Sequence, residues 1–340
     1  MPPRAGEDAV TADWDVIIIG AGPTGLTGAH LLATMGVRTL VIEKNPTTVQ
    51  QPRAVSIDDE ALRTMQAAGL VDDVVAHVNL DYGFRILDPK GREVYKVSPS
   101  TREYGYPKRN AFVQPILEDT LRRTLARRPQ ASIRFETECV AIEELRDGVR
   151  VEVVDRQGQR QTLNCRYLIG TDGGRSFVRG VIGSTLQGST YAARWLIVDL
   201  EGTRDRTRES CVYSDPARPA VNIPGPDGRR RFEFMLHPHE GDELAQDENY
   251  IRGLLAAYGP DRDARIVRRQ VYTFHARVAD RWQTDRIFLA GDAAHLTPPF
   301  AGQGVNSAFR DIHNITWKIA AVVHGEMGPR LLASYQAERA

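Results

Sequence analysis

"DVIIIGAGPTGL", residues 15–26, decides the fold. Trp14 to Ile19 is a short, almost wholly apolar run, as a central parallel strand requires. Helical spacing follows from Pro23 to Met35, and Gly36 ends it as a C-cap would. Val37 to Glu43 reads as a second strand, which completes a βαβ unit. Gly20-x-Gly22-x-x-Gly25 therefore sits between a strand and a helix, the context that gives this pattern meaning. Gly20 lets the chain turn sharply, Gly22 lets backbone N–H groups approach a pyrophosphate, and Gly25 lets helix and strand pack closely. The phosphates would rest on the helix N-terminus at Pro23, with Glu43 accepting hydrogen bonds from a ribose. NAD and FAD share this adenylate half, so the motif alone leaves both open.

Working outward, 340 residues suffice for two domains or for one α/β unit with an inserted sheet. Lys plus Arg equals Asp plus Glu at 44 each, so no bulk field points to nucleic acid or an anionic membrane. Cys139, Cys165 and Cys211 lie far apart with no CxxC pair, which argues against a zinc site or a disulfide framework and for a reducing cytoplasm. No metal ligand set is expected. Residues 1–13 read as a disordered leader without a signal-peptide core, and the longest apolar runs are too short for a transmembrane helix. The tail "MGPRLLASYQAERA" stops at Ala340 with no terminating Gly or Pro, so a natural continuation after 340 is expected.

Ser56 reads as the N-cap of a helix over "IDDEALRTMQAAG", and Gly83 to Val97 as a hairpin turning at Pro89-Lys90-Gly91. Gln114 to Arg128 is an amphipathic helix, and "IRFETECVAIEEL", "GVRVEVVD" and "RQTLNCRYLIGTDGG" are successive strands. After Gly183, strand-like runs at 193–200, 209–213, 219–224 and 231–236 suggest an antiparallel sheet, and "DGRRRFEF" is basic, which a solvated turn explains at least as well as a role toward the substrate. The expected fold is α/β: a Rossmann-like domain with a parallel sheet (14–80, 100–182, 280–340), interleaved with a mainly antiparallel substrate sheet (81–99, 183–279).

A second cluster separates the cofactors. "RIFLAGDAAH" is another buried strand, and it delivers Asp292 to a strand's C-terminal edge, where ligands of open α/β sheets bind. An NAD enzyme has no evident use for an acid and a Gly/Pro loop so far downstream, whereas FAD has a ribityl chain whose hydroxyls need an acceptor. Pro298 and Pro299 fix a rigid segment, and Gly302, Gln303 and Gly304 lead bare backbone into a long helix. Its N-terminal dipole would face the flavin's pyrimidine edge, where negative charge collects on reduction. A third cluster, "IGTDGGRSFVRG", closes a strand at Asp172-Gly173 and places Arg175, Ser176 and Arg179 on a helix start.

These three clusters in this order resemble the FAD-dependent aromatic hydroxylases of the para-hydroxybenzoate hydroxylase type, particularly the branch acting on 3-(3-hydroxyphenyl)propionate. "QPRAVSIDDEALR" at 51–63 and "VQPILEDTLR" at 113–122 add to the likeness, which covers nearly the whole chain. The resemblance implies that Asp292 binds the ribityl chain, that Arg53 and Gln114 contact the cofactor, and that Asp172-Gly173 serves both the flavin and the visiting nicotinamide. The cofactor candidates are thus Gly20, Gly22, Pro23, Gly25, Glu43, Lys44, Arg53, Gln114, Asp172, Gly173, Gly291, Asp292, Pro298, Gly302, Gln303, Gly304, Val305 and Asn306.

It also implies the chemistry: NADPH or NADH as a transient hydride donor, dioxygen, and a phenolic substrate hydroxylated through a flavin hydroperoxide. Pro298 would wall the reactive edge, and Tyr213, Arg218, Asn222, His237 and His239 are the polar candidates for substrate contact. Arg218 could hold a carboxylate, and Tyr213 or His237 could relay the phenol proton. His295 reads as locked by backbone hydrogen bonds, and Cys211 as buried packing. Neither nucleic acid nor membrane is expected as a partner, and a homodimer is left open. Polyketide hydroxylation or epoxidation, or a flavin module without turnover, are the alternatives. Halogenation is disfavoured by the lack of a Trp-x-Trp-x-Ile-Pro stretch.

Overall fold

A computed structural model describes residues 12–299 and 302–340; the expected leader lies almost wholly outside them. The strand Trp14–Ile19 runs parallel between Thr39–Ile42 and Arg160–Gly170, and Ala131–Arg134 extends the sheet beyond Thr39–Ile42. Ile287–Leu289 pairs parallel with the end of Arg160–Gly170, on the flank whose first half pairs antiparallel with Val149–Asp155. Val16, Ile17, Ile18, Leu168, Ile169, Phe288 and Leu289 are all 0% exposed, as continuous apolar runs covered on both faces must be. The register sets Ile19, Gly170 and Leu289 abreast. The chain therefore leaves three neighbouring strands at Gly20, Thr171 and Ala290, within about 10 Å at the usual strand spacing.

The second sheet has eight strands, in the order His295–Leu296, Arg265–Ala279, Leu186–Glu201, Arg229–Leu236, Ala220–Pro224, Ser210–Tyr213, Phe84–Leu87 and Glu93–Val97. Alternation along Arg229–Leu236 turns Phe232, Phe234 and Leu236 onto one face, where they cluster with Leu196, Val198, Ile251 and Leu255 under the helix Glu248–Ala257. Arg231, Glu233 and Met235 take the opposite face, which meets the nucleotide-binding part: Arg231 donates to the carbonyls of Pro52 (2.8 Å) and Arg53 (2.5 Å). The fold is mixed α/β, a parallel-centred sheet joined to a mainly antiparallel one. Among the described residues no helix is long and apolar enough to cross a membrane.

Three local expectations are corrected. In "DGRRRFEF" only Asp227-Gly228 forms the expected turn; the strand starts at Arg229, and Arg230 and Arg231 are 3% and 4% exposed because carboxylates neutralise both guanidiniums. The helix cap falls to Asp58, whose Oδ1 accepts from Ala61 N at 2.8 Å, while Ser56 belongs to a two-residue strand. "IRFETECVAIEEL" is two strands, Ala131–Arg134 and Thr137–Glu144, broken at Glu136 with φ of 51°.

Candidate functional site

The first cluster is shaped by contact distances. Gly20 has φ of +106°, and a Cβ there would lie 2.6 Å from the Thr171 carbonyl oxygen. A Cβ on Gly25 would lie 2.0 Å from the Gly20 oxygen. Only bare backbone lets the strand end, the helix start and Thr171 meet. Gly22 is the opposite case, with nothing within 4 Å of its would-be Cβ. It caps the helix Pro23–Thr34 without any side-chain hydrogen bond, so free N–H groups face an opening, the geometry of an anion site. Glu43 braces the turn: Oε2 accepts from Ala21 N and Oε1 from Asn45 N, both at 2.9 Å. Lys44 beside it is exposed.

The second cluster adjoins the first. A Cβ on Gly291 would lie 2.9 Å from Thr24 Oγ1 and 3.0 Å from Ala308 Cβ, so the early turns of both helices meet there. The helix Gln303–Val323, with Gly304 and Val305 in its first turn, begins after Gly302, again with no side-chain cap. Pro299 accepts from Gly302 N at 2.8 Å, following the half-buried Pro298. Asn306 ties this turn to the neighbouring loop, donating to the Gly302 carbonyl (2.9 Å) and accepting from Asp58 N (3.1 Å).

Asp292 makes no hydrogen bond or ion pair among the described residues. Its side chain is accessible, yet surrounding protein starves it of solvation and raises its carboxyl above the ordinary value, with His295 and Arg53 opposing. Accessibility together with poor solvation marks the floor of a cleft. Arg53 is likewise exposed, and its guanidinium has no hydrogen-bond or ion-pair partner among the described residues. Its backbone, by contrast, is held firmly. Gln114 Oε1 accepts from Arg53 N (3.2 Å) and Ala54 N (2.8 Å), and Gln114 Nε2 donates to Glu118 (2.7 Å), which also accepts from Val49 N (3.0 Å). Glu118 is absent from the sequence-based candidates; burial lifts its carboxyl to about 7 against the pull of those hydrogen bonds and of Arg53.

In the third cluster Asp172 is occupied by its own helix, accepting from Phe177 N (2.7 Å), Val178 N (3.1 Å) and Ser176 Oγ (2.5 Å). Nothing lies within 4 Å of a Cβ on Gly173. Arg179 stitches this cluster to the second, donating to Ala293 O (3.0 Å) and Gly174 O (2.8 Å). His295 is locked by a carboxylate rather than by backbone: its Nε2 lies 2.7 Å from Asp311, a fully buried acid that also accepts from Gly291 N and Arg339.

The polar candidates of the antiparallel sheet gather elsewhere, around the helix Glu248–Ala257. Tyr213 donates to Tyr258 O (3.0 Å), and Tyr258 donates to Arg218 O (3.0 Å). Arg218 grips Glu240 through both nitrogens (2.9 and 2.6 Å). Glu240 also accepts from His237 N and Tyr250, and these bonds, Arg218 foremost, hold its carboxyl down at about 2. Asn222 accepts from Arg230 at 2.6 Å, and His237 stacks on His239 with ring centroids 5.5 Å apart. Cys211 is buried, which raises its thiol. The opposite face carries a group sequence reasoning missed: Asp199 pairs with Arg231 (2.6 Å) and Arg268 (3.4 Å), and both arginines donate to the Pro52 carbonyl. The apolar alternation of "RFEFML" is the signal that separates the two faces.

Two hollows accompany the crevice. One of about 250 Å³ lies behind the Arg53 loop, between Phe112 and Ile116 on one side and Asp199, Arg231 and Arg268 on the other. A larger one, about 570 Å³, is lined by Arg134 to Gln161 and by no residue of the three glycine clusters, so its size does not make it the site.

A family model described as FAD binding domain matches residues 13–340. A protein of Mycobacterium sp. (strain JLS), named 3-(3-hydroxy-phenyl)propionate/3-hydroxycinnamic acid hydroxylase, is 44% identical over 340 residues, 100% of this chain and 59% of its own length. A protein of the same name from Klebsiella pneumoniae (strain 342) is 41% identical over 98% of this chain and 60% of its own length. The chain thus spans about three-fifths of these curated relatives. Among solved structures, p-nitrophenol 4-monooxygenase from Pseudomonas putida DLL-E4 superposes with a TM-score of 0.89 at 25% identity, over 97% of this chain and 85% of the other. Aklavinone-11 hydroxylase, solved with FAD and aklavinone, gives 0.84 at 27% identity, over 96% of this chain and 66% of the other.

Proposed function

The chain belongs to the FAD binding domain family, and from that premise we propose that it is the flavin-binding part of an NAD(P)H-dependent monooxygenase that hydroxylates a phenolic acid of the hydroxyphenylpropionate kind. The observation that carries this reading is the pair of partnerless charges, Arg53 and Asp292, in a crevice framed by two uncapped helix N-termini. A dinucleotide reaching from Gly22 to Gly304 would supply each with what it lacks: anionic phosphates for the Pro23 helix and for Arg53, and ribityl hydroxyls for Asp292. The residues present therefore fit FAD.

When bound, FAD supplies hydride acceptance from NADPH or NADH and the activation of dioxygen. The chain's own groups do the rest. Glu43 braces the turn that would hold the adenylate half, Asn306 ties down the loop that follows Pro298, and the positive end of the Gln303 helix would favour negative charge on a reduced flavin held there. The antiparallel sheet closes over the crevice through Arg231 and Arg268, which limits the water that would divert reduced oxygen to peroxide. The reading is cytoplasmic, needs neither nucleic acid nor membrane, and allows a homodimer.

The test begins with the absorbance spectrum of the purified chain, where a bound flavin band is expected. NAD(P)H consumption is then followed with a panel of meta-substituted phenols. Acceleration by at least one of them is expected; a yellow protein deaf to every phenol would instead be a flavin module without turnover.

A further inference from the structure

Glu233 stands out from every other buried acid of the antiparallel sheet. It is 7% exposed and accepts no hydrogen bond among the described residues. Asp199 is held by Arg231, Glu240 by Arg218, and Asp261 by Thr203 and the Arg204 amide. The cross-strand neighbours of Glu233 are Ile197 and Val221, whose side chains have nothing to donate. Burial raises its carboxyl above the ordinary value, with Arg231 and Arg268 opposing the rise and Asp199 adding to it. Its carboxylate oxygens are not sealed off, so a carboxylate on this inner face with no protein donor is open to a donor from a ligand.

Its position states the use. Glu233 lies two residues along the strand from Arg231 and on the same face, and Arg231 holds the Pro52 and Arg53 carbonyls of the cofactor loop. Next along that face is Met235, paired with Trp195, which pairs in turn with Tyr272; all three are only partly buried. An aromatic ring laid on this floor meets a flat, polarisable surface with one anionic acceptor at its edge.

We propose that Glu233 is a specificity-determining residue that accepts the hydrogen bond of the substrate's ring hydroxyl, with Trp195, Met235 and Tyr272 as the floor beneath the ring. The inference rests on the phenol-hydroxylase reading above and adds to it an orientation. A substrate's own carboxylate is repelled by Glu233, so the hydroxyl end faces this strand and the acid tail points away. A hydrogen bond to a carboxylate is about twice as strong as a neutral one, and it pushes electron density into the ring that is to be oxygenated. Arg218 and Tyr213, on the far face, have no part in it.

The experiment compares 3-(3-hydroxyphenyl)propionate with its methyl ether, titrated into the FAD-loaded chain by calorimetry and by perturbation of the flavin spectrum. Wild type should prefer the phenol by about tenfold or more, the measure of a charge-assisted hydrogen bond. Glu233→Gln, nearly identical in shape, should lose most of that preference while keeping its affinity for the ether and for FAD. Glu233→Leu, if it folds, should bind the ether at least as well as the phenol. An unchanged preference in Glu233→Gln, or an equal loss for both ligands, overturns the assignment while leaving the hydroxylase reading intact. Failure of wild type to bind either ligand overturns both.

Discussion

In the glycine crevice two charged side chains, Arg53 and Asp292, stand without partners beside the engaged Glu43, Asp172 and Arg179; on the helix-covered face of the antiparallel sheet, Arg218, Glu240 and Arg230 are all paired. The side chains of Arg53 and Asp292 have no hydrogen bonds among the described residues, whereas Arg218 and Glu240 share two, and Arg230 is enclosed by Asn222, Asp205 and Asp261. Both regions are rich in Arg and acid, so composition does not tell them apart. What differs is whether the protein satisfies its own charges. Saturated pairs fix one packing of a helix on a sheet, while unsatisfied ones in an accessible cleft are suited to a ligand.

That contrast is broken most sharply at two glycines of the same turn, Gly25 and Gly22. Gly25→Ala drives a Cβ into the Gly20 carbonyl and should cost more than about 4 kcal/mol of stability, seen as a collapse of the denaturation midpoint. Gly22→Ala meets no protein atom, so it should keep the wild-type midpoint and weaken only flavin binding. Next in size, Glu240→Ala strands the part-buried Arg218 and should destabilise the chain by about 2–3 kcal/mol in urea, with flavin affinity of the folded fraction unchanged.

Asp292→Ala should do the reverse. Losing hydrogen bonds to a charged acceptor lowers flavin affinity by about 2–3 kcal/mol in a fluorescence titration, while the midpoint of the flavin-free chain holds or rises because a poorly solvated carboxylate has gone. Should flavin remain bound at wild-type affinity, the division between the two regions fails at its centre. The smallest effect belongs to Glu118. Its folded-state value of about 7 stands above the ordinary 4.5, so the stability it contributes is full below the lower value and lost as pH rises through the upper one. Between pH 6 and 7.5 that amounts to about 1 kcal/mol, which Glu118→Gln should remove from the pH dependence of the midpoint.

The crevice was legible in the sequence because strand, turn and helix are local there. "VIIIGAGPTG" and "FLAGDAAH" each announce a buried strand and its exit, and parallel pairing then brings the exits together without further information. Asp292 and Arg53 follow from those motifs and from the family likeness. The substrate side was less legible. Tyr213, Arg218 and His237 are chemically suitable, but which face of a strand they occupy depends on register and on what covers the sheet, and Tyr258 and Glu240, beside the helix Glu248–Ala257, engage them. Glu233 could have been found from the alternation of Phe232, Phe234 and Leu236, since an acid out of phase with that apolar row must look the other way. Glu118 left no local signal, because its role is to hold a loop distant in sequence.

The Pro52–Arg53 peptide is grasped from two sides, its carbonyls by the sheet's arginines and the following amides by Gln114. It is a splice between two bodies, and neither can shift without carrying the Arg53 guanidinium along. Amide exchange at Ala54 therefore serves as a single reporter for both: loosening either grip, through Arg231→Leu or Gln114→Leu, should speed it.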